Sequence, residues 1–309
     1  MSDAVTSTNV AQDAPRPDLP RPDLTGQTVG FIGLGLMGKP MARALARCGA
    51  SLVVSNRSPG PVAELAAEGM IAATSAVAVA GQAEIIILML TDTPAVESVA
   101  AALLPVLRPG HLIVDMSTTA VAATRSLAAR VRAVGADWLD APVSGGTVAA
   151  DDAVLTIMAG GREASFARAL PLFQAMGRRI TLVGDSGAGQ IAKTANQVIV
   201  GLTIGAVAEA LALAKAAGAD PARVRDAIRG GFAESRILDL HGGRMVTGNF
   251  TPGGRVSTQI KDLRQAEELA EQSDIDLPAL GLTLELFEML ADQGDGGLDH
   301  AALYRLFGR

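Results

Sequence analysis

Lys193 and Asn196 stand three residues apart in Gly187-Ala-Gly-Gln-Ile-Ala-Lys-Thr-Ala-Asn196, a spacing that puts both on one helix face. Their neighbours are mostly apolar, so a lysine turned into a cleft there loses water. Desolvation disfavours the ammonium and brings the amine into the range of a working acid–base, and the protonated form can stabilise a carbonyl oxygen that receives hydride. Asn196 can orient the same oxygen or a neighbouring hydroxyl. The same residues also suit a lysine that snorkels to water at a helix start, and the sequence leaves both readings open. A second element, Asp140-Ala-Pro-Val-Ser-Gly-Gly146, offers the Ser144 hydroxyl with Gly145 and Gly146, whose unobstructed N–H groups suit a small carboxylate. A plain proline–glycine turn is the alternative.

Ser117 and Thr118 follow the strand His111–Asp115, at the edge where ligands collect in parallel sheets, with capping of the next helix as the other reading. Lys261 and Asp262 lie in a helical segment and point in different directions; one is free to face a cleft while the other makes an ion pair. His241, beside Gly242-Gly243, reads as part of a loop with no partner. Three histidines and one cysteine, Cys48, widely spaced, give neither a zinc pattern nor a disulfide scaffold.

These groups need a frame, and the frame begins at Val29-Gly-Phe-Ile-Gly-Leu-Gly-Leu-Met-Gly38. A short apolar run enters a turn with glycines at 33, 35 and 38, and Met37, Met41 and Leu45 then recur at helical spacing. Gly33 permits the tight turn, Gly35 the close approach of a pyrophosphate, and Gly38 the packing of helix on strand. The turn residues Gly33, Leu34, Gly35, Leu36, Met37 and Gly38, with Leu90 at the end of a later strand, are the expected dinucleotide contacts. An NAD-preferring site carries an acidic residue about 20 positions beyond the glycines. Here the second strand ends instead in Asn56-Arg57-Ser58. With no carboxylate to repel a 2'-phosphate and a guanidinium able to bind one, the expectation is NADP(H) preferred, NAD(H) possible, through Arg57 assisted by Asn56 and Ser58.

Strand and helix patterns alternate from there to Ile180–Val183, implying an open, mainly parallel sheet with helices on both faces. From Gln190 to Ala217 one long helix is expected, with further helices over 221–230, 257–273 and 278–291. The expected domains are a proline-rich disordered tail over 1–25, a dinucleotide domain over 26–189 and an all-helical substrate and dimerisation domain over 190–309. The chain has 309 residues and 26 basic against 32 acidic side chains, a net charge of -6 with no basic stripe. That argues against nucleic acid as a partner. The tail lacks the apolar core of a signal peptide, and the apolar stretch 198–208 is too short for a membrane span, so a soluble, cytoplasmic homodimer or homotetramer is expected.

The motifs GFIGLGLMGKPMA (30–42), DMST (115–118), DAPVSGG (140–146), LTIMAGG (155–161), GAGQIAKTANQ (187–197) and KDL (261–263) occur in an order that resembles the beta-hydroxyacid dehydrogenase family. The resemblance implies an α/β Rossmann-type N-terminal domain joined by a long helix to an all-α C-terminal domain. It implies Lys193 as the acid–base residue, Asn196 as a substrate holder and Ser144, Gly145 and Gly146 as the carboxylate site. It places Ser117 in the active site, Lys261 near the cofactor and Asp262 on the substrate side. The activity implied is interconversion of a small beta-hydroxy acid and its semialdehyde without a metal, in the manner of 3-hydroxyisobutyrate dehydrogenase. Alternatives are a 2-hydroxy-3-oxopropionate or glyoxylate-type reductase, an imine reductase (against which Lys193 argues) and a non-catalytic dinucleotide-binding regulator. The chain departs from the family in three places. Ala149–Leu155 replaces GAxxGTL, Gly253-Gly254 stands where relatives often carry phenylalanine, and Gly294–Leu303 varies the pattern GxGxxDxSAL.

Overall fold

The computed structural model describes residues 21–307. The proline-rich stretch 1–20 lies outside the described residues. Leu24, expected in the tail, instead packs in the core, and its N–H donates to the Cys48 carbonyl at 2.8 Å.

Among the described residues nine strands form one sheet: β1 (Thr28–Ile32), β2 (Ser51–Ser55), β3 (Ile71–Ala72), β4 (Ile85–Leu88), β5 (Leu112–Asp115), β6 (Asp137–Asp140), β7 (Val143–Ser144), β8 (Leu155–Gly160) and β9 (Gly177–Gly184). Their order is β3-β2-β1-β4-β5-β6-β8-β7, with β9 also paired to β8. The pairings among β1 to β6 are all parallel, as expected. The far edge departs from this: β8 runs antiparallel to β6 and β7, because the chain reverses after Ser144 through residues 145–154, and β9 then runs parallel to β8.

Seven helices accompany the sheet: α1 (Gly38–Arg47), α2 (Pro59–Ala67), α3 (Ala76–Ala80), α4 (Thr93–Leu103), α5 (Val121–Ala133), α6 (Gly146–Asp151) and α7 (Glu163–Met176). Period-two alternation sorts the strands' apolar side chains onto two faces. Phe31, Leu52, Val54, Leu112 and Val114 pack with Met41 and Leu45 of α1 and Phe173 of α7. Ile32, Val53 and Ile113 pack with Val79 of α3, Val96 of α4 and Leu127 of α5.

The helical half comprises α8 (Ala188–Ala216), α9 (Pro221–Ile228), α10 (Arg236–Thr247), α11 (Val256–Gln272) and α12 (Pro278–Leu290), followed by a 3-10 segment, His300–Leu306. Its core gathers Ile204, Ala208 and Leu211 of α8 with Leu263, Phe287 and Leu303. The 29-residue α8 is long and apolar enough by composition to cross a membrane, unlike the shorter stretch expected from sequence. Its inner side is the core of this half, whereas Ile199 and Leu213 are 65% and 72% exposed. The segment around His241 is α10 and not a loop. Gly242 and Gly243 lie inside the helix, where the Arg225 side chain packs against them.

Candidate active site

The glycine turn between β1 and α1 is shaped by backbone need. Gly33 has φ +102, in the region that disfavours a side chain, and a Cβ there would collide with the Met89 carbonyl. A Cβ at Gly38 would strike the Gly33 carbonyl, so helix and strand approach this closely only without one. At Gly35 none of the described residues lies within 4 Å of the Cβ position, which leaves an open cradle. Asn56, at the end of β2, accepts a hydrogen bond from the Leu34 N–H at 3.0 Å and donates to the Ser58 carbonyl at 3.0 Å. It therefore splints the turn to the second strand. Leu34 is buried, with its N–H already bonded; Leu36 is exposed on the turn. Arg57 and Ser58 are exposed, and Arg57 makes no ion pair among the described residues. The open cradle and the free cation beside it fit a dinucleotide.

Lys193 is buried on α8, and its Nζ donates to Gln197 Oε1 at 2.7 Å. Burial pushes its pKa down from 10.5 to about 8, against the pull of the Asp262 carboxylate and with the help of the Lys261 charge. Asn196 Nδ2 donates to the same Gln197 oxygen at 2.8 Å, and Gln197 Nε2 donates to Asp262 Oδ2 at 2.6 Å. Asn196 thus meets Lys193 only through Gln197. Gln197 received no role in the sequence reading, although a residue four positions after Lys193 lies on the same helix face.

Lys261, on α11, reaches across to the sheet domain. Its Nζ donates to the carbonyls of Thr91 at 3.4 Å and Thr118 at 3.3 Å, and lies 3.1 Å from Asp262 Oδ1. It ties the helical half to the loops after β4 and β5, beside Leu90. Ser117 is fully buried, and its hydroxyl accepts the Leu90 N–H at 2.9 Å. The other reading of Ser117 and Thr118, as a cap of the next helix, is not met. Ala120 is the N-cap of α5 with no side-chain bond, because Thr119 instead donates its hydroxyl to Asp115 at 3.0 Å.

Ser144, Gly145 and Gly146 form the turn from β7 into α6, and the Ser144 hydroxyl makes no hydrogen bond among the described residues. Gly145 and Gly146 have φ of +132 and +66. Among the described residues no hydrogen bond joins this turn to Lys193; the two are linked through Asp140, a residue to which the sequence reading gave no individual role. Asp115 and Asp140 are register partners at the ends of β5 and β6, and both are fully buried. Burial raises the Asp115 pKa to about 7, although Ser117 and Thr119 favour its charged form.

A third cluster was invisible to spacing. His241 on α10 and Asp299 and His300 near the chain end bring their ligand atoms within 4.8 Å of one another. The Asp299 carboxylate is engaged by Arg244 at 2.9 Å and by the N–H groups of Gly253, Gly254 and Ala301. A Cβ on Gly254 would lie 3.2 Å from the His300 ring, so a side chain there requires that ring to shift.

Comparison with known proteins agrees with this frame. Residues 28–184 match the model of the NAD binding domain of 6-phosphogluconate dehydrogenase, and 187–307 that of the NAD-binding domain of NADP-dependent 3-hydroxyisobutyrate dehydrogenase. The chain belongs to the beta-hydroxyacid dehydrogenase family. It is 47% identical over 284 residues to 2-hydroxy-3-oxopropionate reductase of Escherichia coli, covering 89% of this chain and 95% of that protein. It is 34% identical to 3-hydroxyisobutyrate dehydrogenase of Pseudomonas aeruginosa, covering 90% and 98%. The crystal structure of 3-hydroxyisobutyrate dehydrogenase from Salmonella typhimurium superposes with a TM-score of 0.83 at 32% identity, covering 91% of this chain and all of that one.

Proposed function

We propose that this chain is an NADP(H)-preferring reductase of 2-hydroxy-3-oxopropionate, acting reversibly on that short hydroxy acid. The observation that carries the reading is the buried Lys193, held at about 8 within hydrogen-bond reach of Gln197. Near that value both protonation states are populated at neutral to mildly alkaline pH. In the reducing direction the Lys193 ammonium donates its proton to the aldehyde oxygen; in the reverse direction the neutral amine takes the hydroxyl proton. The glycine turn, Asn56, Arg57 and Ser58 would hold a nicotinamide nucleotide, which would supply or accept the hydride. Ser144 with Gly145 and Gly146 receives the substrate carboxylate, and Asn196 and Asp262 line the remaining polar wall. Lys261 ties the two halves together through the Thr91 and Thr118 carbonyls, and Lys193 is buried from water.

Two considerations favour 2-hydroxy-3-oxopropionate over the methyl-bearing 3-hydroxyisobutyrate of the first expectation. The amides of Asn196 and Gln197 and the Asp262 carboxylate suit a second hydroxyl, and the relative of that activity is the more similar, at 47% against 34%. The exposed apolar stripe on α8 supports a homodimer, which size-exclusion chromatography with light scattering checks. A panel of 2-hydroxy-3-oxopropionate, methylmalonate semialdehyde, glyoxylate and a cyclic imine, each followed by NADPH and NADH absorbance, tests the substrate. The highest kcat/KM is expected with 2-hydroxy-3-oxopropionate. No turnover of any member by protein that binds NADPH tightly overturns the enzyme reading.

A further inference from the structure

Asp140 stands where the two halves of this site meet. It closes β6, and the chain runs from it through Ala141, Pro142 and Val143 into the Ser144–Gly146 turn. Its side chain goes to α8. Oδ1 accepts the Gly187 N–H at 2.8 Å and Oδ2 the Gln190 N–H at 3.1 Å. The carboxylate is wholly buried, and the groups that favour its charge are backbone amides, those at the start of α8 among them. Burial raises its pKa.

The seat is cut to fit. A Cβ on Gly160 would lie 2.7 Å from Asp140 Oδ2 and 2.7 Å from the Gly189 nitrogen, and a Cβ on Gly189 would lie 2.7 Å from the Asp140 carbonyl oxygen. The N-cap of α8, Gly187, has no side chain with which to cap the helix itself. Gln190 extends the hold, donating to the Ser117 carbonyl at 2.9 Å and accepting the Thr119 N–H at 3.1 Å. Lys193 follows Gln190 by three residues, just under one turn.

We propose that Asp140 is a positioning residue for Lys193: its carboxylate clamps the first turn of α8 to the strand that also feeds the Ser144–Gly146 turn. One side chain thereby fixes the proton-transfer group relative to the proposed carboxylate site. The proposal rests on the acid–base reading of Lys193. Without the clamp the first turn of α8 frays, water reaches Lys193, and the desolvation that depresses its pKa is relieved.

Asp140→Asn keeps the shape but turns an amide donor toward the helix amides. With 2-hydroxy-3-oxopropionate and NADPH, kcat is expected to fall on the order of 100-fold, the usual cost of misplacing a reacting group by about 1 Å. NADPH affinity, measured by fluorescence titration, stays at the parental value, and the Lys193 limb of the kcat–pH profile moves upward. In a Lys193→Ala background the same change costs less than about 3-fold, because the two residues act as one unit. Parental kcat with an unmoved limb overturns the proposal, as does an equal fold-loss in both backgrounds. If Asp140→Asn fails to fold, Gly160→Ala, which wedges a methyl between the carboxylate and the Gly189 amide, is judged by the same criteria. Parental turnover by Lys193→Ala alone instead overturns the acid–base reading itself.

Discussion

Replacing Lys193 with methionine is expected to make the protein more stable and inactive at once. The drop in the lysine's pKa from 10.5 to about 8 means that folding disfavours its ammonium. At roughly 1.4 kcal/mol per tenfold change, that penalty is about 3 kcal/mol at neutral pH. The sign follows from proton counting. Between about 8 and 10.5 the unfolded chain binds more protons than the folded one, so the stability of the parent rises with pH across that window. Below it the penalty is present in full; above it, gone. Methionine matches the stem and carries no charge. Gln197 Oε1 loses its Lys193 donor but keeps the Asn196 amide at 2.8 Å, and Asp262 keeps Lys261 at 3.1 Å. Subtracting about 1 kcal/mol for the lost hydrogen bond leaves a net gain of about 2 kcal/mol. Urea unfolding of parent and Lys193→Met at pH 7 and pH 10 measures it, with kcat falling by 100-fold or more, on the order typical for loss of a general acid–base group. A parent that gains no stability relative to Lys193→Met between pH 7 and pH 10 refutes the argument that the lysine is held against its solvation.

Arg57→Ala is expected to lower the NADPH-to-NADH ratio of kcat/KM by about 10- to 100-fold, the worth of a charge-assisted pair with a phosphate; an unchanged ratio removes Arg57 from cofactor choice. Ala153, where the family pattern carries glycine, sits at φ +57, a left-handed conformation that a Cβ disfavours. Ala153→Gly is expected to stabilise the protein by about 1 kcal/mol in urea unfolding, with loss of stability as the contrary result.

What the sequence made legible depended on whether a structural demand writes itself into residue type. The turn at Gly33–Gly38 was readable because positive φ and contact with a carbonyl admit only glycine. The two layers around the sheet followed from alternation such as Leu112, Ile113, Val114. The apolar setting of Lys193 allowed a cleft-facing or a water-facing amine alike, and the structure buries it; three-residue spacing pointed to Asn196 as its partner, while the amide that meets the amine comes from Gln197, four residues on. Asp115 and Asp140 were recorded only as motif letters, since a buried aspartate at a strand end and one in a turn look alike in a string. The helix α10 was hidden by Gly242-Gly243, which mimic a breaker until Arg225, from another helix, is seen covering them. The His241, Asp299 and His300 cluster needed tertiary distance and could not be read from spacing.

The long helix α8 is keyed at two places. Gly189 fits against the Asp140 and Met158 backbone, and a Cβ on Gly201 would come within 2.9 Å of Gln259 and 3.0 Å of Leu263 on α11. Lys193 lies between the keys, and a helix advances about 100° and 1.5 Å per residue. Loss or gain of one residue between 189 and 201 would turn one key about 100° away from its lock. The helix is in this sense a ruler of fixed length, tolerant of many changes in its letters and of almost none in their number.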